Sequence, residues 1–253
     1  GQNTVTAATD VSTSRLFEYT SVEIMATEDN TTITIDKDGN GSVDMTVTLN
    51  QGRTTMVNGG IYAGAKITAD KGISVNAIAG DVGSAYDNRW FTITPYEQWS
   101  DSYYAPVGTT LAADPAYVFL YNPDSSNSIT VYYDNSTSSG NSITIAANTT
   151  KFVQMTGSAA HFYTRTAAKF YAIGTVDSDA TSHSTHDWSY SLVPESFLTT
   201  KFVAGWAPGV DNVTRSIAAG DANGSPLWVT TTANTKLYID STTVTVKVAL
   251  FAT

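Results

Sequence analysis

Apolar and polar residues alternate with a period of two in many short segments of this chain. Clear examples are residues 33–35, 45–49, 73–78, 129–131, 143–145, 237–239 and 244–246. This alternation places apolar side chains on one face of a β-strand and Thr, Ser or Asn on the other. Clusters of Gly, Asn, Asp and Pro, which favour turns, separate the segments. Since no segment has the periodicity of an amphipathic helix, the pattern predicts an all-β fold.

The strand segments also repeat along the chain. Residues 29–36 align with residues 233–240, and the shared positions are an Asn, a Thr, two apolar residues and a final Asp. In a middle copy, residues 143–150 parallel residues 47–54. The repeat length of about 100 residues is typical of a β-sandwich and is longer than a solenoid repeat. The predicted fold class is therefore a series of tandem antiparallel β-sandwich units, of which the third is incomplete.

The repeats predict four segments. These are an N-terminal extension or strand (residues 1–20), a first sandwich (21–112), a second sandwich (113–222) and an incomplete third unit (223–253). Half a sandwich leaves an apolar face and open strand edges. The N-terminal stretch, residues beyond the given sequence or a strand from another copy are the alternatives for covering it. The last alternative is β-strand addition, and it would make the chain the subunit of a polymer.

Composition and charge narrow the class of protein. The 253 residues carry a formal net charge of −10, so phosphate backbones and anionic lipid surfaces would repel the chain, and we expect no nucleic-acid partner. No apolar run approaches the roughly 20 residues of a membrane helix, so we expect no membrane insertion. The chain has no cysteine, which excludes a disulfide framework and thiolate metal sites. A surface rich in Thr, Ser and Asn predicts an extracellular or cell-surface protein whose signal peptide has been removed, or a shortened chain.

A short acidic segment between two predicted strands has the spacing of a calcium loop. It runs from residue 36 to residue 44 and fits D-x-D-x-[DN]-G-x-x-D. Ca²⁺ prefers six to eight oxygen ligands, and alternate residues of a tightly curled loop direct their oxygens to one point. The predicted ligands are Asp36, Asp38, Asn40, the carbonyl of Ser42 and Asp44. Without the helices and the final Glu of an EF-hand, the segment is predicted to be a calcium loop in a β-hairpin.

The alternative is an ordinary polar hairpin turn, because Asp, Asn and Gly are also common turn residues. Three carboxylates within nine residues would nevertheless repel one another without a cation. The corresponding loop of the second unit, residues 134–140, has lost the acids, and the third unit keeps only Asp240. We therefore expect Ca²⁺ to be structural, to stabilise one unit and to take no part in catalysis.

Other candidate residues have plain structural interpretations. His183 and His186 fit a polar surface loop better than a metal site, and His161 fits a hydrogen-bonded histidine in a sheet. Trp90 and Trp99 are candidates for stacking on glycans, although aromatic rings at this density more often fill an interface between sandwiches. Sequons that make candidate glycosylation sites occur at Asn30, Asn135, Asn148, Asn212 and Asn223. No nucleophile elbow, phosphate loop or carboxylate pair is recognisable, so we expect no enzymatic activity.

Several segments resemble the N-terminal domain of IgGFc-binding proteins, a module of mucus-associated animal proteins and of many microbial surface proteins. The resemblance covers most of residues 20–210 and is carried by residues 24–35, 72–80, 96–99 and 103–108. It implies an extracellular, non-enzymatic module with an adhesive or structural role. The cysteine-rich domains of the animal proteins have no counterpart here, so the resemblance favours a microbial surface protein and does not extend to antibody binding.

Two functions follow as expectations. The first is a structural subunit of a cell-surface filament, sheath or surface layer, whose copies join by β-strand addition. The second is a surface adhesin or glycan-binding module that acts as a monomer and recognises glycans or surface glycoproteins. A secreted hydrolase that uses the His183 and His186 segment is a third and weaker alternative.

Overall fold

The computed structural model confirms the all-β prediction. It describes residues 19–80, 89–108, 116–135, 138–157, 159–176, 188–201, 229–232, 238–239 and 242–243. Within these residues the regular elements are antiparallel β-strands and two short 3₁₀ turns, Tyr96–Gln98 and Glu195–Phe197.

The first sandwich consists of a four-stranded and a three-stranded sheet. Its strands are β1 (Tyr19–Ala26), β2 (Thr31–Asp36), β3 (Met45–Leu49), β4 (Thr54–Val57), β5 (Lys66–Ala69), β6 (Ile73–Gly80) and β7 (Arg89–Thr92). The four-stranded sheet has the order β4-β1-β6-β7, and the three-stranded sheet has the order β3-β2-β5. The predicted alternation holds in β2, where Ile33 and Ile35 are fully buried and Thr32 and Thr34 are partly exposed. The two isoleucines pack with Val22 and Ile24 between the sheets.

The second sandwich has two four-stranded sheets. Its strands are β8 (Ser102–Ala105), β9 (Ala116–Tyr121), β10 (Ile129–Asn135), β11 (Asn141–Ile145), β12 (Thr150–Met155), β13 (Ala160–Tyr163), β14 (Tyr171–Val176) and β15 (Trp188–Ser191). The sheet orders are β11-β10-β13-β8 and β12-β9-β14-β15. Leu120, Val131, Ile145 and Phe162 are fully buried members of the core between these sheets.

The two sandwiches share individual backbone hydrogen bonds at corresponding positions. The N–H of Ala26 donates to the Arg53 carbonyl (3.1 Å), and in the second sandwich the N–H of Asn122 donates to the Thr149 carbonyl (3.0 Å). A proline, Pro95 or Pro194, precedes each 3₁₀ turn with nearly the same backbone angles. The agreement between local geometries supports the internal repeat inferred from the strand segments.

Aromatic and small apolar residues join the two sandwiches. Ala77 of β6 and Phe91 of β7 form one buried cluster with Tyr117 and Phe119 of β9. Arg89, which begins β7, is also fully buried. Its Nε donates to the Thr175 hydroxyl of β14 (3.2 Å). The junction therefore has an apolar cluster and at least one buried polar contact.

Described strands bear on two parts of the predicted four-segment division, the boundary at residue 112 and the third unit. Strand β8 precedes the predicted boundary at residue 112, yet it pairs with β13 of the second sandwich. From the predicted third unit, the structure describes a short pairing between β16 (Tyr238–Ile239) and β17 (Thr242–Thr243). Residues 1–18, the predicted extension, and most of the third unit lie outside the described residues, so the division itself stays a prediction.

Candidate functional site

The acidic loop connects β2 to β3 at one end of the three-stranded sheet. The N–H of Asp44 donates to the Ile35 carbonyl (2.9 Å), and the N–H of Lys37 donates to Asp44 Oδ2 (2.7 Å). These bonds bring the first and last acids of the loop together across the base of the hairpin. The acids of the site are therefore brought together by a local turn between two neighbouring strands.

Three of the predicted ligands meet in space. Carboxylate oxygens of Asp36, Asp38 and Asp44 all lie within 4.8 Å of one another. Asp36 is buried, with 7% of its surface exposed, whereas the other two are exposed. None of the three carboxylates forms an ion pair within the described part of the chain, so the loop brings three negative charges close together without a compensating side chain.

The N–H groups of the turn surround the buried carboxylate. The N–H of Asn40 donates to Asp36 Oδ1 (3.2 Å), and the N–H of Gly41 donates to Asp36 Oδ2 (2.8 Å). Burial alone raises the pKa of Asp36, but hydrogen bonds, chiefly from the backbone of Gly41 and Gly39, outweigh it and lower the pKa below its usual value. Asp36 is thus held in the ionised form that a metal ion requires.

The other two predicted ligands have different positions. The Asn40 amide donates from Nδ2 to Asp38 Oδ2 (2.9 Å), and its Oδ1 accepts the N–H of Ser42 (2.7 Å). Asn40 therefore lies beside the carboxylates, but its oxygen already has a donor. Ser42 contacts Asn40 through this N–H, and the role of its carbonyl as a calcium ligand stays a prediction.

A second loop supports the acidic one from outside. The N–H of Tyr62, between β4 and β5, donates to the Lys37 carbonyl (2.9 Å). Gly39 has φ of 71°, and a Cβ at this position would collide with the backbone of Gly64. The close approach of the two backbones explains why glycine occupies position 39, apart from its positive φ.

The carboxylates fit a calcium ion in chemistry and in spacing. Ca²⁺–oxygen distances of about 2.3–2.6 Å allow oxygens around one ion to lie up to about 5 Å apart, and the three carboxylate oxygens, all within 4.8 Å of one another, satisfy this limit. A carboxylate has about four lone-pair positions, so Asp36 retains acceptor capacity after its two backbone bonds. Asp36, Asp38 and Asp44 are the residues that would hold the ion, with Asn40 adjacent.

The described residues of the corresponding hairpin in the second sandwich contain no such group of acids. The N–H of Gly140 donates to Asp134 Oδ1 (2.6 Å), and the N–H of Ser138 donates to Asn135 Oδ1 (2.9 Å). Within the described residues of this hairpin, Asp134 is the only acid. The same strand connection is therefore closed by ordinary side-chain turns.

The two tryptophans have different surroundings. Trp90 on β7 is 63% exposed. The Trp99 ring stacks on Tyr171 of β14 with centroids 4.8 Å apart and an angle of 14° between planes, and its Nε1 donates to the Thr94 carbonyl (2.9 Å). Trp99 therefore uses one ring face in the protein itself, as a ring that fills an interface does. Both residues remain predicted glycan contacts.

The asparagines of three of the five sequons and one of the three histidines lie within the described residues. Asn30 and Asn148 are exposed at turns with positive φ, and Asn135 is half-buried. Asn212, Asn223, His183 and His186 lie outside the described residues. His161 lies on β13, where its Nε2 is 2.8 Å from the Ser102 hydroxyl, so the expectation of a hydrogen-bonded sheet histidine is confirmed.

One candidate region was not anticipated from the sequence. A common cleft is lined by the first 3₁₀ turn and the residues after it, by the turn between β13 and β14, and by the second 3₁₀ turn. The repeated Pro95 and Pro194, each followed by an acidic 3₁₀ turn, were a local signal for two matching turns. Their meeting across the sandwich junction could not be seen in the sequence.

Comparisons with known proteins agree with the earlier resemblance. The family model described as IgGFc binding protein matches residues 1–250. No curated protein matches the chain, and no solved structure does. In the described part of the chain, no helix has both the length and the apolar character needed to cross a membrane. Since the match extends over nearly the whole sequence, the chain belongs to the IgGFc-binding protein family.

Proposed function

We propose that this protein is a structural subunit of an extracellular cell-surface assembly, a filament, sheath or surface layer, whose copies join by β-strand addition. Membership of a binding-type family supports an extracellular surface or binding domain. The observation that supports the finer proposal is that, within the described residues, no strand pairs with the outer side of β5. The sheet β11-β10-β13-β8 has four strands, whereas its counterpart β3-β2-β5 has three strands among the described residues.

The position beside β5 is the one that β8 occupies in the second sandwich. β8 pairs with β13, and β13 corresponds to β5 in the repeat. β8 comes from the connector that leaves the preceding sandwich after the first 3₁₀ turn. The segment before β1 that corresponds to β8 lies outside the described residues, and in the proposed assembly a neighbouring copy supplies the strand beside β5. Strand addition of this kind uses backbone hydrogen bonds for affinity.

The hydrogen bonds of β5 leave donors for such a strand. The N–H of Asp70, just after β5, donates to the Thr32 carbonyl of β2 (3.2 Å). Because N–H groups point alternately to the two sides of a strand, those of Ala69 and Ile67 point away from β2. No described strand pairs with that side of β5, so its outward N–H and carbonyl groups form a template for a partner.

A proline at Ala69 tests the proposal, because it removes an outward N–H and retains the bonds to β2. The matched control is Thr48→Pro on β3, the opposite edge of the same sheet. Thr48 faces Thr32 across the ladder. The N–H and carbonyl of Thr32 point toward β5 and therefore away from β3. The N–H of its neighbour Thr48 consequently also points outward, to the free side of β3.

We expect the parent chain and T48P to form concentration-dependent assemblies visible by electron microscopy, and A69P to remain monomeric with a similar melting temperature. Assembly of A69P to the same extent as the parent would contradict a role for the β5 edge. A parent chain that stays monomeric at high concentration with calcium present would contradict the assembly function as a whole.

We also propose that Ca²⁺ binds the acidic loop and stabilises the first sandwich. The support is the set of three carboxylates within 4.8 Å and the ionised, buried Asp36. An ion that binds only the folded state raises its stability. Calcium should therefore raise the melting temperature of the parent chain, and Asp36→Asn should abolish this rise. Asp134→Asn, in the corresponding hairpin, is the control that should keep it. An unchanged melting temperature after chelation would contradict an occupied loop.

The second candidate function is a monomeric adhesin or glycan-binding module. The observation that favours it is the presence of exposed aromatic rings near the junction, Trp90 at 63% and Phe197 at 52% exposure. A glycan array probed with the parent chain tests this function directly. Absence of any signal would reject it, whatever the state of assembly.

A further inference from the structure

We propose that the cleft at the junction of the two sandwiches binds a neutral pyranose sugar. This inference rests on the second candidate function and is independent of strand addition. The cleft has a volume of about 410 Å³, within the range of small-molecule sites, about 300–1,000 Å³. Its principal lining residues are Glu97, Gln98, Trp99, Asp101, Lys169 and Phe197. They come from three separate chain segments, so the cleft exists only in the folded junction.

The floor of the cleft is fixed by hydrogen bonds from both sides. The N–H of Ser100 donates to the Tyr103 hydroxyl (2.9 Å), and the Ser100 carbonyl accepts the N–H of Phe170 (3.0 Å). The Asp101 carbonyl accepts the N–H of Thr164 (2.9 Å). The Trp99 ring, stacked on Tyr171, is held in the same way. A ligand would therefore meet a pre-formed surface and lose little affinity to rearrangement.

Several polar groups lie at the rim of the cleft. Within the described residues, the side chains of Glu97, Gln98 and Ser196 form no hydrogen bond. The Asp101 carboxylate accepts one bond, from the Ser100 hydroxyl (3.3 Å). Carboxylates accept and a primary amide both donates and accepts, so these groups together match the alternating hydroxyls of a sugar.

The apolar part of the cleft matches the carbon face of a pyranose. The Phe197 ring is 52% exposed at one wall, and Trp99 is half-buried beside it. Aromatic rings bury large apolar areas against flat ligands. Glu97 and Asp101 outnumber Lys169, whose Nζ lies 3.4 Å from the Glu97 carbonyl. The resulting negative charge disfavours carboxylated and sulfated sugars, and this selects a neutral ligand.

The test is a printed array of neutral and acidic glycans, followed by calorimetric titration of the strongest neutral glycan. We expect binding of a neutral glycan and binding at least about tenfold weaker for the same glycan carrying a carboxylate, a difference of about 1.4 kcal/mol. Phe197→Ala and Glu97→Gln should each lower the affinity for the neutral glycan by about tenfold. Both residues are exposed, so the melting temperature should remain close to that of the parent.

Tyr62→Ala is the control, because it removes an exposed ring that does not line the cleft and is not among the predicted glycan contacts. It should leave the affinity within about twofold. If Trp90→Ala abolishes binding while F197A and E97Q retain it, the glycan-binding function stands and the cleft proposal is overturned. If the parent binds acidic glycans alone, the cleft proposal is overturned and the glycan-binding function stands; if it binds no glycan on the array, both are overturned.

Discussion

Gly39 and Gly41 of the acidic loop both have positive φ, 71° and 91°, but their surroundings differ. A Cβ at Gly39 would collide with the backbone of Gly64, whereas a Cβ at Gly41 would have no atom within 4 Å. An alanine in left-handed backbone costs about 1–2 kcal/mol. We expect G41A to lose about this much free energy of unfolding and G39A to lose clearly more, as measured by urea denaturation. Equal losses would contradict the close packing of the two loops.

His161 should make stability depend on pH. Its ring stacks on Tyr104 with centroids 4.2 Å apart. Burial lowers its pKa below the usual 6.5, although Glu195 and Asp134 partly oppose this. Since the unfolded chain binds the proton first, stability falls as the pH drops below 6.5 and through the lower folded pKa. Melting temperatures should decline over this interval in the parent and stay flatter in His161→Phe.

The chain has two other histidines, His183 and His186, which provide the control for this prediction. A variant with Gln at both positions should keep the slope of melting temperature against pH. If the slope persists in H161F and disappears in the double variant, the assignment to His161 is wrong.

The sequence could predict residue-level features where the interacting groups are neighbours along the chain. Asp36, Asp38 and Asp44 meet because a single turn brings them together, and their spacing shows this directly. The partner of Trp99 could not be predicted in the same way, because Tyr171 belongs to β14 of the second sandwich. Contacts of that kind depend on how the sandwiches are arranged.

The second sandwich has a buried asparagine, Asn122, directly after β9. The corresponding residue of the first sandwich, at the end of β1, is Ala26. Asn122 is fully buried, and its Nδ2 donates to the carbonyls of Asn127 (2.9 Å), Ile145 (3.1 Å) and Ala146 (3.1 Å). One amide thus joins the end of β9 to the approach to β10 and the end of β11.

Asn122→Ala should therefore lower the free energy of unfolding by about 1–3 kcal/mol, since buried carbonyls lose their donor. Asn50→Ala is the control, because the Asn50 side chain accepts one exposed bond from the N–H of Asn30 (3.1 Å). This variant should lose less than about 0.5 kcal/mol. Similar losses for the two variants in urea denaturation would contradict a stabilising role for the buried Asn122 amide.

Alternation of apolar and polar residues was sufficient to predict strands such as β2, β3, β6, β10 and β11, because burial on one face determines the period of two. It did not show that β8 belongs to the second sandwich. The repeat predicts a boundary at residue 112, whereas pairing with β13, far along the chain, places β8 in the second sandwich. Neighbouring strands in a sheet are set by non-local hydrogen bonds, which a local pattern does not contain.

For the whole molecule, the buried cluster at the junction should couple the stability of the two sandwiches. Phe91 of β7 packs there with Tyr117 and Phe119 of β9. We expect the parent chain to give a single calorimetric transition. Phe91→Ala should cost about 3–5 kcal/mol and split the transition into two. Two separate transitions in the parent would contradict the coupling.

Self-assembly is the central claim for the molecule, and sedimentation velocity across a wide range of protein concentrations tests it most directly. With calcium present, the parent chain should show a sedimentation coefficient that rises with concentration, while A69P should sediment as a monomer throughout. A parent chain that sediments as a monomer at every concentration would contradict the proposed function.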